Sequence, residues 1–341
     1  MSRDDRDHQG DLTLPEHGVP DPRDAPALRW GVISPGHIGA QFTDTLHRAT
    51  SSRVVAVASR SQDRAEQFAR SREIDGAFDS VEKMLEAGGL DVVYIASPHA
   101  QHHAFARTVL EAGVPVLVEK AFTLNRPQAS DLVDLARERS LFLMEAMWAR
   151  FLPQYGVLRR LIEGGVLGEI VSVAADHGQA FPFDPEHRLY DPDLGGGALL
   201  DLGVYPISIA QAVLGDLTDC AVRGDLAPTG VDAHVALLAA GSRGGRALLE
   251  TTLRARGANE ATIVGTAGRV RLSGPFYAPG ILEVDLTDGR TARFEHPADP
   301  EDGMAYEAAE TARRITAGDL ESPLMSWADT LSVMGTMDEV R

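Results

Sequence analysis

Apolar and polar positions alternate along the first half of the chain in a repeated order: a short apolar run, a turn, then a polar stretch with helical spacing. The apolar runs fall at 28–34, 54–59, 92–96, 116–118 and 141–144, and the helical stretches at 63–72, 102–112 and 128–139. Strands covered on both faces carry few polar residues and need a long return connection, so this pattern predicts parallel strands joined by crossover helices. An α/β fold opening on a doubly wound, Rossmann-type parallel sheet follows.

After Phe151 the pattern changes. A helix is predicted at 154–163, then strands at 170–175, 235–238, 247–253, 261–264, 270–272 and 282–286, separated by turns rich in Gly, Asp and Pro. This reads as a sheet-rich second domain, antiparallel in large part. Within it the loop 191–197, ending in Gly195, Gly196 and Gly197, delivers the chain into a helix at 198–213; two more helices, 304–317 and 323–341, close the sequence. Residues 1–27 carry scattered charges and four prolines without apolar periodicity and are expected to be a disordered tail. The folded part divides into a domain over 28–146 and another over 147–341, in keeping with a length of 341 residues.

Composition narrows the function. With 44% hydrophobic residues the chain has ample apolar surface to bury, and its formal net charge of −18 disfavours both nucleic acid and an anionic membrane surface. The single cysteine, Cys220, makes no internal disulfide and no thiolate metal site. No apolar run of transmembrane length and no secretory signal is read, so a cytoplasmic protein with a small-molecule partner is expected.

The first strand-to-helix turn reads Ser34-Pro35-Gly36-His37-Ile38-Gly39. In a dinucleotide-binding turn, glycines allow a tight bend and bring backbone N–H groups close to a pyrophosphate at the helix N-terminus. Gly36 and Gly39 stand in the second and third glycine places, and Ser34 in the first. At the end of the second strand, where an acid would bind the ribose 2′-hydroxyl of NAD, the chain has Ser59, Arg60 and Ser61, with Arg64 one turn on. Hydroxyls and guanidinium groups suit a 2′-phosphate, so NADP is predicted in preference to NAD; the alternative is a pair of solvated surface arginines.

Ligands of an open parallel sheet lie beyond the carboxyl ends of its strands. There the chain places Ser97, Pro98, His99 and His102 after the strand at 92–96, and Glu119 and Lys120 after the strand at 116–118. Pro98 shapes the loop and His99 or His102 is a candidate for the ribose or substrate, against an ordinary capping or surface role; His103 reads as surface. No metal is predicted, since no carboxylate or thiolate shares the histidine spacing. Lys120 is costly as an unpaired buried ammonium and reads as a site residue. On the helix at 198–213, Asp201 and Tyr205 are four apart and share a face, which makes Tyr205 the candidate acid/base and Asp201 the group that orients the substrate hydroxyl or Lys120. A structural Tyr–Asp pair is the alternative. Trp148 and Phe151 are candidate walls of a substrate cleft, or core.

The segment from Leu28 to Gly39, the Ser-Pro-x-x-x-His element ending at His102, Glu119-Lys120 and the Gly-Gly-Gly-Ala-Leu-Leu-Asp-Leu-Gly-Val-Tyr run ending at Tyr205 together resemble the glucose-fructose oxidoreductase, inositol dehydrogenase and rhizopine-catabolism superfamily. The stretch from Met144 to Phe151 and the helix carrying Asp201 and Tyr205 are most similar to the branch containing trans-1,2-dihydrobenzene-1,2-diol dehydrogenase and NADP-dependent D-xylose dehydrogenase. The resemblance implies a Rossmann domain and a C-terminal α/β domain with an open mixed sheet for substrate binding and oligomerisation, paired as a homodimer or homotetramer. It implies hydride transfer between NADP and a sugar or vicinal diol. A catalytically silent NADP- or sugar-binding sensor, and a sugar-to-sugar oxidoreductase with tightly held NADP, are the alternatives. Two departures stand out: Ala121 follows Lys120 where the family commonly has Pro, and Tyr205 stands where many members have His.

Overall fold

The computed structural model describes residues 12–296 and 302–341. The first sheet is built from β1 (Arg29–Ile33), α1 (His37–Ala49), β2 (Arg53–Ala58), α2 (Gln62–Arg72), β3 (Gly76–Phe78), α3 (Val81–Ala87), β4 (Val92–Ile95), α4 (His99–Glu111), β5 (Val116–Glu119), α5 (Arg126–Arg139) and β6 (Leu143–Ala146). Its strands lie parallel in the order β3-β2-β1-β4-β5-β6, so the winding reverses between β1 and β4 and opens a crevice at their carboxyl ends. Strands β4, β5 and β6 are buried at every position, which is why they stand out as apolar runs. By contrast β3 and α3 escape the sequence pattern: β3 is a three-residue, half-buried edge, and α3 is fixed by Ser80, whose side chain accepts from Lys83 N–H at 3.2 Å.

A 3₁₀ turn (Trp148–Phe151) leads into α6 (Pro153–Glu163) and β7 (Ile170–Gly178), and a long loop then reaches one turn of π-helix (Leu199–Gly203) that opens α7 (Val204–Leu214). Strands β8 (Leu217–Leu226), β9 (Asp232–Gly241), β10 (Arg246–Thr252), β11 (Ala261–Gly265), β12 (Gly268–Leu272), β13 (Ile281–Leu286) and β14 (Thr291–Glu295) follow, then α8 (Gly303–Ala317) and α9 (Trp327–Val340). The second sheet has the order β14-β13-β12-β11-β7-β10-β9-β8. It is antiparallel except for the central pair β7 and β10. Alternate residues of β9 and β10, among them Val235, Leu237 and Leu249, are buried on the face that packs on α7. The opposite face leaves Leu238 and Leu248 half exposed.

The closing helices tie the two sheets together. Helix α8 lies on α1, and α9 packs on both α5 and α7. Trp327 donates its indole N–H to the Leu143 carbonyl at 2.9 Å, and Leu143 N–H reaches Leu320 O at 3.0 Å, so the end of the chain borders the β6 edge.

The expected disordered tail is corrected over 12–27. Leu12 N–H bonds to Thr291 O on β14 at 3.0 Å, Arg160 donates to Glu16 O at 2.9 Å, and Pro22 and Ala25 are buried, Ala25 against Ala309 and Ala312 of α8. Backbone carbonyls and a few small apolar contacts hold this segment, and neither leaves a periodic signature in the sequence. The rest of that expectation, residues 1–11, lies outside the described residues.

Candidate active site

The turn between β1 and α1 has the geometry its residues demand. Ser34 adopts φ 72°, the left-handed conformation usually left to glycine, while its N–H bonds to Ala58 O at 3.0 Å. A Cβ on Gly39 would lie 2.8 Å from the Ser34 carbonyl oxygen and 3.4 Å from Ala96 Cβ, so only glycine packs there. At Gly36 a Cβ would meet nothing within 4 Å, because that position faces the open crevice. Helix α1 starts at His37 with no side-chain cap and no acid in its first turn, leaving free N–H groups and a positive dipole end facing the crevice. Glycine clearance and unspent donors together fit a dinucleotide pyrophosphate.

The crevice measures about 870 Å³. One wall holds Ser34, Gly36, His37 and Ile38; another holds Ser59, Arg60 and Arg64. Ser61 caps α2 through Arg64 N–H at 3.4 Å, which places the Arg64 side chain one turn in from the crevice edge. Among the described residues neither Arg60 nor Arg64 has an ion-pair partner, whereas the neighbouring Asp79 is paired with Lys83 at 2.8 Å. The far end holds Ser97, Pro98, His99, Glu119, Lys120 and Asp201.

Lys120 is the hub of that end. Its Nζ donates to the Asp201 carbonyl oxygen at 2.8 Å, lies 3.7 Å from Asp201 Oδ1, and sits 5.1 Å from the centre of the Tyr205 ring. The Lys120–Ala121 peptide bond is cis. Asp201 is buried, and burial by itself would raise its pKa. Lys120, Arg188 at 3.0 Å and His99 Nε2 at 3.8 Å outweigh that cost and hold the carboxyl well below the ordinary carboxylate range. The π-helical turn that carries Asp201 widens the helix where it meets Lys120, an irregularity often found at functional sites.

Tyr205 flanks Lys120 with its ring face, and its hydroxyl oxygen accepts from Trp148 Nε1–H at 2.8 Å. Burial, reinforced by the charge of Glu119, pushes the phenol well above its ordinary pKa, so it is a neutral O–H. Lys120 Nζ lies over the ring of Tyr205 and makes no hydrogen bond to its oxygen, so the ammonium is not placed to pair with a phenolate. Glu119 is buried; its carboxylate accepts from the Tyr94 hydroxyl and, at 3.1 Å, from Lys120 N–H.

The remaining expected residues divide. His99 lines the crevice, its Nδ1 against Gly195 O at 2.9 Å, and burial lowers its pKa. His102 is fully buried between Ser97 O (2.8 Å) and Ala121 O (2.9 Å), tying the loops after β4 and β5 together, so it shapes the crevice from behind. Trp148 reaches the site through Tyr205, but Phe151 is core, 1% exposed. His103 pairs with Asp131 at 2.8 Å on the surface of α4 and α5.

Arg188, His177 and Tyr277 join the site without a mark in the sequence pattern. Arg188 comes from the long loop before the π-turn, where no periodicity singles it out. His177 lies on the inward face of β7, its ring against Tyr277 (4.3 Å between centroids) and edge-on to Tyr205 (5.4 Å). Burial, with Lys120 nearby, lowers its pKa to about 4. The one available signal is the in-register series Val173, Ala175, His177 on the buried face of one strand.

Comparison with known proteins agrees with this geometry. Residues 28–147 match the model of an oxidoreductase family with an NAD-binding Rossmann fold, and residues 155–271 match the GFO/IDH/MocA C-terminal domain. The chain is 35% identical to the D-xylose 1-dehydrogenase (NADP(+)) of Hypocrea jecorina, over 92% of this chain and 90% of that one. It is 34% identical to the trans-1,2-dihydrobenzene-1,2-diol dehydrogenase of Homo sapiens, over 92% and 96%. A 3-ketoreductase from Actinomadura kijaniata, solved with NADP and TDP-benzene, superposes with a TM-score of 0.81 at 30% identity, covering 93% of this chain and 97% of its own. With a nucleotide-binding turn, a lysine hub between two sheets and both family domains matched in order, the chain belongs to the GFO/IDH/MocA family of oxidoreductases.

Proposed function

We propose that the chain is an NADP-dependent dehydrogenase or reductase acting on the CH–OH group of a sugar or vicinal diol. The observation that carries this reading is the Lys120 ammonium held between an ionised Asp201 and the Tyr205 ring at the end of β5, at the head of the nucleotide crevice. Gly36 and the free start of α1 take the pyrophosphate, and Ser59, Arg60 and Arg64 take the 2′-phosphate. Bound there, the dinucleotide supplies or accepts the hydride at the substrate carbon.

The side chains handle the oxygen. Lys120 donates to the substrate oxygen and offsets the negative charge that develops on it; Asp201, itself held by Arg188, fixes the lysine. Tyr205 gives the proton in the reductive direction and takes it in the oxidative one. The Trp148 N–H on the phenol oxygen stabilises charge on that oxygen and so eases release of the proton in the reductive direction. Trp148, His177 and Tyr277 surround Tyr205, Trp148 through its indole N–H and the other two through ring contacts, and offer aromatic faces to a pyranose or cyclic diol. The names of the relatives, a pentose dehydrogenase and a diol dehydrogenase, support that substrate class. The half-exposed Leu238 and Leu248 on the open face of the second sheet support pairing of two copies through that face.

The test is a panel of aldoses, inositols and cyclic diols, followed by nicotinamide absorbance with NADP and with NAD. Turnover should appear with NADP and fall by about 10²- to 10⁴-fold in Lys120→Met and in Tyr205→Phe. Near-normal rates in both variants would refute the assignment.

A further inference from the structure

One polar atom at the head of the crevice has no part in the steps described above: His99 Nε2. The imidazole is 6% exposed, and its Nδ1 lies 2.9 Å from the Gly195 carbonyl oxygen. A carbonyl offers only lone pairs, so Nδ1 carries the N–H and a neutral ring keeps its lone pair on Nε2. Burial favours the neutral ring, and so does the place of His99 as first residue of α4, at the positive end of that helix. The ring is also held in position. Gly195 has φ 75°, and a Cβ there would lie 3.0 Å from His99 Cβ and 2.6 Å from Leu124 Cδ2, so the loop before the π-turn presses on the imidazole. Nε2 lies 3.8 Å from Asp201 Oδ1, the same oxygen that is 3.7 Å from Lys120 Nζ, and all three residues line the crevice. Asp201 is ionised, so the imidazole nitrogen and the carboxylate oxygen are two acceptors with no proton between them. Among the described residues Nε2 makes no hydrogen bond.

We infer that His99 Nε2 accepts a hydrogen bond from the hydroxyl next to the reacting one, and so makes the enzyme specific for substrates with two neighbouring oxygens. The inference rests on the role proposed for Lys120 at the reacting oxygen. With that oxygen on the ammonium, the adjacent hydroxyl extends along the wall past Asp201 toward the imidazole. Two hydrogen bonds of about 2.8 Å, with the short span between neighbouring hydroxyls, fit a gap bounded by the two distances to Asp201 Oδ1. A substrate with hydrogen in place of the second hydroxyl shuts water out of the crevice and leaves Nε2 without a donor. That loss is far larger than the loss of one apolar contact, which is why a buried acceptor discriminates well. The nicotinamide ribose also carries neighbouring hydroxyls; the place of Nε2 beside the carboxylate that holds Lys120 assigns it to the substrate. His99 touches the substrate in this role, and no bond to hydrogen breaks at it.

The experiment uses the full chain with NADP and pairs of substrates that differ in one hydroxyl: an aldose with its 2-deoxy counterpart, and cyclohexane-1,2-diol with cyclohexanol. In the wild type, kcat/KM should favour the member with both hydroxyls by about 100-fold. His99→Leu, which removes the acceptor, should shrink that ratio below about 10-fold with NADP affinity unchanged. His99→Gln, whose amide oxygen still accepts, should keep most of the ratio, which separates a lost acceptor from lost packing. A wild-type ratio near one overturns the inference without any variant, and so does a ratio that survives in His99→Leu. Weaker NADP binding in His99→Leu, with both members of each pair slowed alike, gives Nε2 to the nicotinamide ribose and also overturns it. Near-normal turnover in Lys120→Met and Tyr205→Phe defeats the earlier reading instead, and the ratio remains measurable.

Discussion

Glu145 offers a quantitative check on how dry the junction of the two sheets is. It lies on β6, 1% exposed, and Oε1 accepts from Phe122 N–H at 3.1 Å, two residues beyond Lys120. Burial raises its pKa from 4.5 to about 7, against the lowering effect of a hydrogen bond from Thr330, the Phe122 amide and the charge of Arg150. At about 1.4 kcal/mol per pH unit this displacement amounts to roughly 3 kcal/mol. Because the folded-state pKa lies above the unfolded one, the native state holds the proton more tightly. Its contribution to stability is complete below pH 4.5 and is lost as the pH rises through 7. Glu145→Gln keeps the acceptor for Phe122 and removes the titration. Between about pH 5 and pH 8 the stability of the variant relative to wild type should therefore rise by roughly 2.5 kcal/mol. Urea unfolding at both pH values, followed by fluorescence, measures it; Trp327, bonded to the Leu143 carbonyl, reports from close by on the same strand. A gap between the two proteins that stays constant with pH would mean that Glu145 titrates as it does in water, and the picture of a dry junction would be wrong.

Two further expectations concern exposed surfaces. Arg60→Asp should shift the kcat/KM preference from NADP toward NAD by at least about 10-fold, the effect of exchanging one charge-assisted phosphate contact for a repulsion; an unchanged preference would return Arg60 to the solvated surface. Leu238→Asp combined with Leu248→Asp should convert a dimer into monomers by light scattering without lowering the unfolding temperature, since both side chains are half exposed in the single chain. A monomeric wild type would refute the proposed pairing.

Fold and site are legible in the sequence to different depths, and the difference follows burial. Strands β4 and β5 are covered on both faces, so hydrophobicity alone marks them, and their ends in turn assign Ser97 to His99 and Glu119–Lys120 to the crevice. Edge strands lack that signature: β8 is exposed along most of its length and β14 alternates exposed and half-buried residues, so both read as loop. The pairing of Lys120 with Asp201 is foreseeable because an ammonium at a strand end needs a partner, but the side of Tyr205 that Lys120 meets depends on a π-turn that no spacing rule predicts. His102 illustrates a different limit. A histidine facing a cofactor and one bridging two backbone carbonyls have the same sequence environment, and only the relative placement of two loops separates them. Glu307 is the extreme case, since an acid in the helix containing Glu310, Arg313 and Arg314 reads as solvated surface until tertiary packing closes over it.

The segment that precedes β1 bears on how this protein is handled at the bench. Trimming the gene to start near Leu28, the natural choice for anyone reading those residues as dispensable, would strip the cover from Ala309 and Ala312 and take away the partner of Thr291 on the outermost strand. An uncapped sheet margin invites neighbouring molecules to pair with it, so the shortened protein would gain stickiness where the longer one sets Leu12 against the strand.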